Sequence, residues 1–240
     1  MLNGIKYRVL VIGLIIGTLS VVPTSSRCEV LVLDRVTTVD TPVRITVLTK
    51  GRFFSEGGRR VDIYLDGDHL KKILTGGDGY GYLKYTPQSA GFKYVTARSK
   101  SDKNGGLILV MEKNEKAILI EIEGAFKYAL MSENIRKNSQ QAVKTLSKTY
   151  KIVYLSKYVG KGISKEWLDK EQFPETVILR WRGPRMLAAL KDKGVQLHAV
   201  IGSAALISAA ENYIENRYTF EESKKAITVN DWDEILKLLQ

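Results

Sequence analysis

Hydrophobic and polar positions alternate with a period of two through roughly the first half of the chain, and then the rhythm changes. Residues 43–48 (VRITVL), 61–67 (VDIYLDG), 79–87 (GYGYLKYTP) and 92–99 (FKYVTARS) each alternate, and 107–113 (LILVMEK) follows a Lys-Asn-Gly-Gly turn. Alternation puts successive side chains on opposite faces of a strand. Short strands spaced about 8–12 residues apart, with Gly, Asp and Pro at the turns, predict an all-β sandwich. From about residue 115 apolar runs alternate with stretches of helical period. Strands are predicted at 116–122, 152–155, 176–179, 197–201 and 217–220. Helices are predicted at 132–150, 165–170, 184–193, 204–215 and 229–239. Strand–helix alternation of this kind builds a doubly wound parallel sheet with helices on both faces. The expected organisation is a β-domain over 27–112 and an α/β domain over 113–240. A charged hinge at 112–116 divides them, and each half is expected to fold separately.

The start of the chain fits neither pattern. Lys6 and Arg8 precede an apolar run at 9–22, followed by Pro23, Thr24, Ser25 and Ser26. A basic start, a short apolar run and small residues at its end make residues 1–26 read as a secretory signal. The run is shorter than the ~20 apolar residues of a membrane span. A mature chain beginning near Arg27, outside the cytoplasm, is expected. The alternatives are an uncleaved membrane anchor, or a lipid on Cys28, although Arg27 stands where a lipoprotein signal has Gly or Ala. Cys28 is the only cysteine in 240 residues, so no intramolecular disulfide forms and stability rests on packing.

The net charge is +11. Its lysines and arginines form no run of five and do not interleave with aromatic residues, which argues against specific nucleic-acid binding. A solvated basic surface is expected, with loose attraction to an anionic membrane surface or envelope polymer as the sharper reading. His69 with Asp66-Gly67-Asp68 suggests a metal loop, but Asp-Gly between two alternating runs is hairpin chemistry. Residues 160–165 (GKGISK) lack the length of a phosphate loop. His198, inside a predicted strand, reads as a packed core histidine.

The segment with most chemistry is 116–126, KAILIEIEGAF. A buried strand ends in Glu121 and Glu123 and breaks at Gly124. In an open α/β sheet, ligands gather outside the carboxyl ends of the strands. Two carboxylates there can hold a divalent cation, and one can attack phosphorus. This stretch resembles the first motif of the haloacid dehalogenase phosphatase superfamily: apolar strand, Asp-x-Asp, Gly-Thr. Glutamates replace both aspartates here, and Ala125 replaces the threonine. The resemblance extends over the second half. Ser156, ending 152–158 (IVYLSKY), takes the place of the second-motif hydroxyl. The Trp167-Leu168 and Phe173-Pro174 pairs resemble lipin-like and acid-phosphatase branches. Arg185, or Lys191 further on, stands for the third-motif lysine. In 198–213 (HAVIGSAALISAAENY) Gly202 keeps its place, while Ser203 and Ile207 replace the fourth-motif aspartates. About 30 residues between the first two motifs imply a capless member.

The resemblance implies a magnesium-dependent phosphohydrolase acting on an exposed phosphomonoester, with Glu121 as nucleophile and Glu123 as acid/base. The substitutions point the other way. A glutamate adds a methylene, and a misplacement near 1 Å costs ~100-fold in rate. The carboxylates of the fourth motif are gone. The sequence is therefore read as an exported two-domain protein with a non-catalytic α/β half and no cofactor. It holds a protein or an envelope ligand, and Glu121 and Glu123 bind magnesium weakly if at all. Arg185 is the expected neutraliser of the two acids. As a remnant at a solvated strand end, the pair is expected to be dispensable for stability.

Overall fold

The alternation of the first half becomes eight strands in a computed structural model of the protein, which describes residues 29–51, 54–127 and 134–240. The signal-like segment and Cys28 lie outside the described residues. The strands are β1 (Glu29–Leu33), β2 (Arg35–Thr38), β3 (Val43–Lys50), β4 (Arg60–Leu65), β5 (Asp68–Leu74), β6 (Tyr80–Tyr85), β7 (Gly91–Ser99) and β8 (Asp102–Met111). One sheet has the order β1-β3-β6, the other β2-β8-β7-β4-β5. Their inner faces close on Val30, Val32, Ile45, Val47, Val61, Ile63, Val95, Ala97, Ile108 and Val110. The leading strand divides between the sheets: β1 runs antiparallel to β3, and after Asp34 β2 runs parallel to β8. Two packed sheets of this kind are an immunoglobulin-like sandwich.

β1, β2 and β5 are additions to the sequence reading. Asp34 interrupts the first alternation. β5 is an edge strand, almost wholly exposed, whose pairing to β4 decides its conformation. Lys71 and Lys72 on it discourage further pairing. The Asp-Gly turn joins β4 to β5: Asp66 has φ of 51° and its Oδ1 accepts from Tyr94 N–H at 2.8 Å.

The second half is built from β9 (Lys116–Glu121), α1 (Ser139–Leu146), β10 (Lys151–Ser156), α2 (Lys161–Lys170), β11 (Ile178–Arg180), α3 (Arg185–Asp192), β12 (Gln196–Ile201), α4 (Ala204–Ala210), β13 (Asn216–Thr219), β14 (Ile227–Thr228) and α5 (Trp232–Leu239). The strands form one parallel sheet in the order β11-β10-β9-β12-β13-β14. Chain order reverses at β9, so the crevice of a doubly wound fold lies at the carboxyl end of that strand. Several elements are shorter than the sequence suggests. Of the long helix expected at 132–150, the described residues form the two-turn α1, preceded by a turn at 137–138 where Asn138 has φ of 63°.

Burial follows the strand alternation of β9. Ile118 and Ile120 face α1, α2 and α5, where Val143, Leu146, Leu168, Trp232 and Ile235 pack. Ala117 and Leu119 face α3 and α4, through Leu187, Leu190, Leu206 and Ile207. The second face also receives Val36 of β2 and Leu107, Leu109 and Met111 of β8. The outer face of the sandwich therefore completes the core of the parallel sheet. Each such buried side chain contributes about 1.5–3 kcal/mol. This shared core argues against separate folding of the halves, and residues 112–115 form a short, largely exposed turn beside it, with Glu115 N–H donating to Glu112 O at 3.2 Å.

A buried ion pair reinforces the junction. Asp34, 2% exposed, accepts from the Lys161 ammonium at 2.5 Å, from Leu107 N–H at 2.8 Å and from Ile178 N–H at 2.9 Å. Lys161 also donates to the carbonyls of Val32 and Gly105. One carboxylate thus ties β8 to the first residue of β11 and to the start of α2.

Candidate functional site at the carboxyl edge of the parallel sheet

β9 runs into a single π-helical turn, Ile122–Phe126. Phe126 anchors it, with its ring centroid 4.2 Å from Phe173, 5.6 Å from Trp232 and 5.8 Å from Tyr154. Trp232 Nε1–H donates to Ala125 O at 3.1 Å. The turn fixes where Glu121 and Glu123 point, and they point to opposite neighbours.

Glu123 reaches the end of β10. Its Oε1 accepts from Ser156 Oγ, Lys157 N–H and Tyr158 N–H, each at 3.1 Å, and Oε2 lies 3.2 Å from Lys157 N. Ser156 Oγ also lies 2.7 Å from Val159 O and receives Ser164 Oγ at 3.1 Å. Glu121 turns toward β12, where its Oε2 accepts from Ser203 N–H at 2.6 Å. Ala204 N–H, at the start of α4, is taken by Glu221 at 3.0 Å. The glutamates are 2% and 8% exposed. They are buried acceptors for the protein's own loop amides, which corrects the picture of a solvated strand end. Glycines make this approach possible. A Cβ on Gly124 would lie 2.5 Å from Ser203 N, and one on Gly202 would lie 2.8 Å from Glu121 Cβ.

The neighbouring cation is Lys157. Its pKa is raised, first by its side-chain hydrogen bond with Tyr158 and then by the charges of Glu121, Tyr158 and Glu123. Its ammonium lies 4.9 Å from the Tyr158 ring centroid. Arg185 sits exposed at the start of α3 and forms no ion pair with either glutamate. The neutralising role given to it passes to backbone amides and Lys157. Lys191 donates to Tyr213 O at 3.4 Å, away from the glutamates. Ser203 brings its amide to Glu121, while its Oγ is buried without a partner. Ile207 is in the core.

The carboxyl edge thus unites Glu121, Glu123, Ser156 and Ser203, and leaves Arg185 apart. His198 lies earlier on β12, half-buried, with its ring stacked on Tyr150 at 4.9 Å and 10°. Its pKa is lowered, first by burial and then by Lys116. Among the described residues no three His, Cys, Asp or Glu side chains cluster as metal ligands. Carboxylate lone pairs aimed at amide hydrogens, on two side chains that diverge, do not fit a hard cation that demands near-octahedral oxygen ligation. The sequence held no signal for Glu221 or Lys157 in this role, since each arrives from another loop.

No protein-family profile and no curated protein sequence matches the chain. Solved structures match over about a third of it. An "IG27 protein domain" is 16% identical, covering 35% of this chain and 95% of that one, with a TM-score of 0.30. A crystal structure of a titin domain is 11% identical, covering 35% and 98%, with a TM-score of 0.28. The CARDB domain of a Pyrococcus furiosus protein, solved in complex with di-metal ions, is 17% identical, covering 35% and 85%, with a TM-score of 0.26.

Proposed function

We propose that the α/β half is a haloacid-dehalogenase-like domain that has lost catalysis and serves as a binding or structural module, in a chain whose N-terminus reads as an export signal. The resemblance of the 116–126 motif supports the lineage, as does the reversal of strand order at β9. The observation that carries the loss of catalysis is the engagement of both glutamates. Glu123 accepts from the Ser156 hydroxyl and two loop amides, and Glu121 from the amide of Ser203. A nucleophile must offer a free lone pair to phosphorus, and a general acid or base must reach the transferred proton. Here Glu121 Oε2 and Glu123 Oε1 are directed at the protein's own loop donors. Magnesium has no convergent donor set, so no step is routed through it.

The test is phosphate release from a panel of phosphomonoesters with magnesium, manganese or calcium, beside Glu121→Ala. Background rates in both proteins, with magnesium binding no tighter than about millimolar, are expected. Turnover that disappears in Glu121→Ala would move the assignment to a metal-dependent phosphohydrolase.

A further inference from the structure

Five cations meet on one side of the junction between the sandwich and the α/β half. Arg35 opens β2, Arg44 lies on β3, Arg182 precedes α3, and Lys193 follows it. Lys84 of β6 is the register partner of Arg44. Among the described residues none of the five forms an ion pair with a carboxylate. The charge of Asp34 acts on Arg35 but is outweighed by burial and the neighbouring arginines, and Asp34 itself is engaged by Lys161.

Arg35 is held in place without a direct ion pair. Its Nε–H donates to Arg44 O at 3.2 Å, Nη1 to Asp34 O at 3.1 Å and Nη2 to Thr46 Oγ1 at 2.8 Å. All three acceptors are uncharged. Arg44 is braced over the half-exposed Tyr82 ring, 5.0 Å from its centroid, and Tyr82 stacks on Tyr80 at 6.2 Å. Thr38 Oγ1 donates to Lys193 O at 2.6 Å, which pins the end of α3 against β2. Burial and mutual repulsion press on the charges: Lys193 is lowered by burial, then by Arg35 and Arg44, and Arg35 by burial, then by Arg182 and Arg44.

Like charges assembled from distant parts of a chain destabilise it unless an opposite charge completes them. Guanidinium groups present paired donors that match the oxygens of phosphate in a bidentate manner. We propose that Arg35, Arg44, Arg182 and Lys193 form a binding site for a phosphate-type oxyanion, with Lys84 on its rim and Tyr82 as the wall that orients Arg44. The ligand is recognised by charge and by its several acceptor oxygens. Its source is either a free oxyanion or the headgroup of an anionic phospholipid. The site draws on both halves, so binding and the junction are linked. It is distinct from the glutamate edge and independent of whether that edge catalyses.

Pyrophosphate serves as the soluble probe and phosphatidylglycerol vesicles as the membrane probe. Titration calorimetry with pyrophosphate, and sedimentation with vesicles, compare the full chain with Arg44→Ala/Arg182→Ala. Both arginines are exposed, so the variant keeps the fold, which circular dichroism checks. A second double variant, Lys71→Ala/Lys148→Ala, removes the same net charge elsewhere. The expected result is at least about tenfold weaker binding in the arginine variant, the loss of one charge-assisted hydrogen bond or more, with little change in the lysine variant. Pyrophosphate binding that survives without vesicle binding identifies a free oxyanion; arginine-dependent binding of vesicles identifies the headgroup. Equal weakening in both variants, or no binding of either probe to the parent, overturns the site.

Discussion

Glu123 shows how a residue's neighbours decide what its carboxylate does. At 8% exposure it accepts from the amides of Lys157 and Tyr158 and lies within reach of the Ser156 hydroxyl. Glu123→Ala is expected to destabilise the protein by about 2–4 kcal/mol, because buried donors left without acceptors cost about 1–3 kcal/mol each. Urea unfolding measures it, and a loss below about 0.5 kcal/mol would restore the picture of a dispensable surface acid. His198 gives a pH signature. Its folded pKa lies below the unfolded value near 6.5, through burial and then Lys116. The unfolded chain therefore binds the proton more readily. His198 contributes stability above about pH 6.5, lost as pH falls through the lowered folded value. His198→Phe keeps a ring against Tyr150 and is expected to flatten the fall in Tm between about pH 7.5 and 5. Parallel pH profiles for parent and variant would refute the assignment.

At the scale of elements, the π-helical turn after β9 and the start of α4 are made for each other. Gly124 and Gly202 let Ser203 N–H and Glu121 meet at 2.6 Å, a distance no Cβ leaves room for. Gly202→Ala would set its methyl 2.8 Å from Glu121 Oε2 and 2.9 Å from Leu206 Cδ2. The clash is with a pinned side chain and a buried one, so a cost of about 1–3 kcal/mol is expected from overpacking. Alanine at Gly105, whose Cβ would meet only a carbonyl at 3.7 Å, is the comparison. Equal Tm values for the two would show that the turn yields without cost.

For the whole molecule the consequence is cooperativity. Val36, Leu107, Leu109 and Met111 of the sandwich share a core with the α3 and α4 face of the parallel sheet, and Asp34 with Lys161 seals its edge. Thermal unfolding is expected as one transition. Asp34→Ala leaves an ammonium and two amides without their acceptor and is expected to cost about 3–5 kcal/mol. The fragment 113–240 is expected to lack fixed tertiary structure, read as lost near-ultraviolet circular dichroism and early melting. A fragment as stable as the full chain would show that the shared core contributes nothing.

The sequence by itself determined the elements whose period is strong. The alternating strands from 43 to 111, the parallel-sheet strands at 116, 152 and 196 and the Asp-Gly hairpin follow from local rules of side-chain direction and turn chemistry. The meeting of Glu121, Glu123, Ser156 and Ser203 at one sheet edge was legible too, because strand ends in a doubly wound sheet gather there. Only tertiary structure decided what those groups do. Whether a carboxylate is solvated or buried, and which amide it accepts from, depends on loops far away in sequence. β5 exists because β4 pairs with it, and β2 because β8 does. The apolar outer residues of β8 carry the same alternation whether they face water or a second sheet. Their neighbours across the junction, and the cations gathered beside them, are brought there by long-range packing, to which local periodicity is blind.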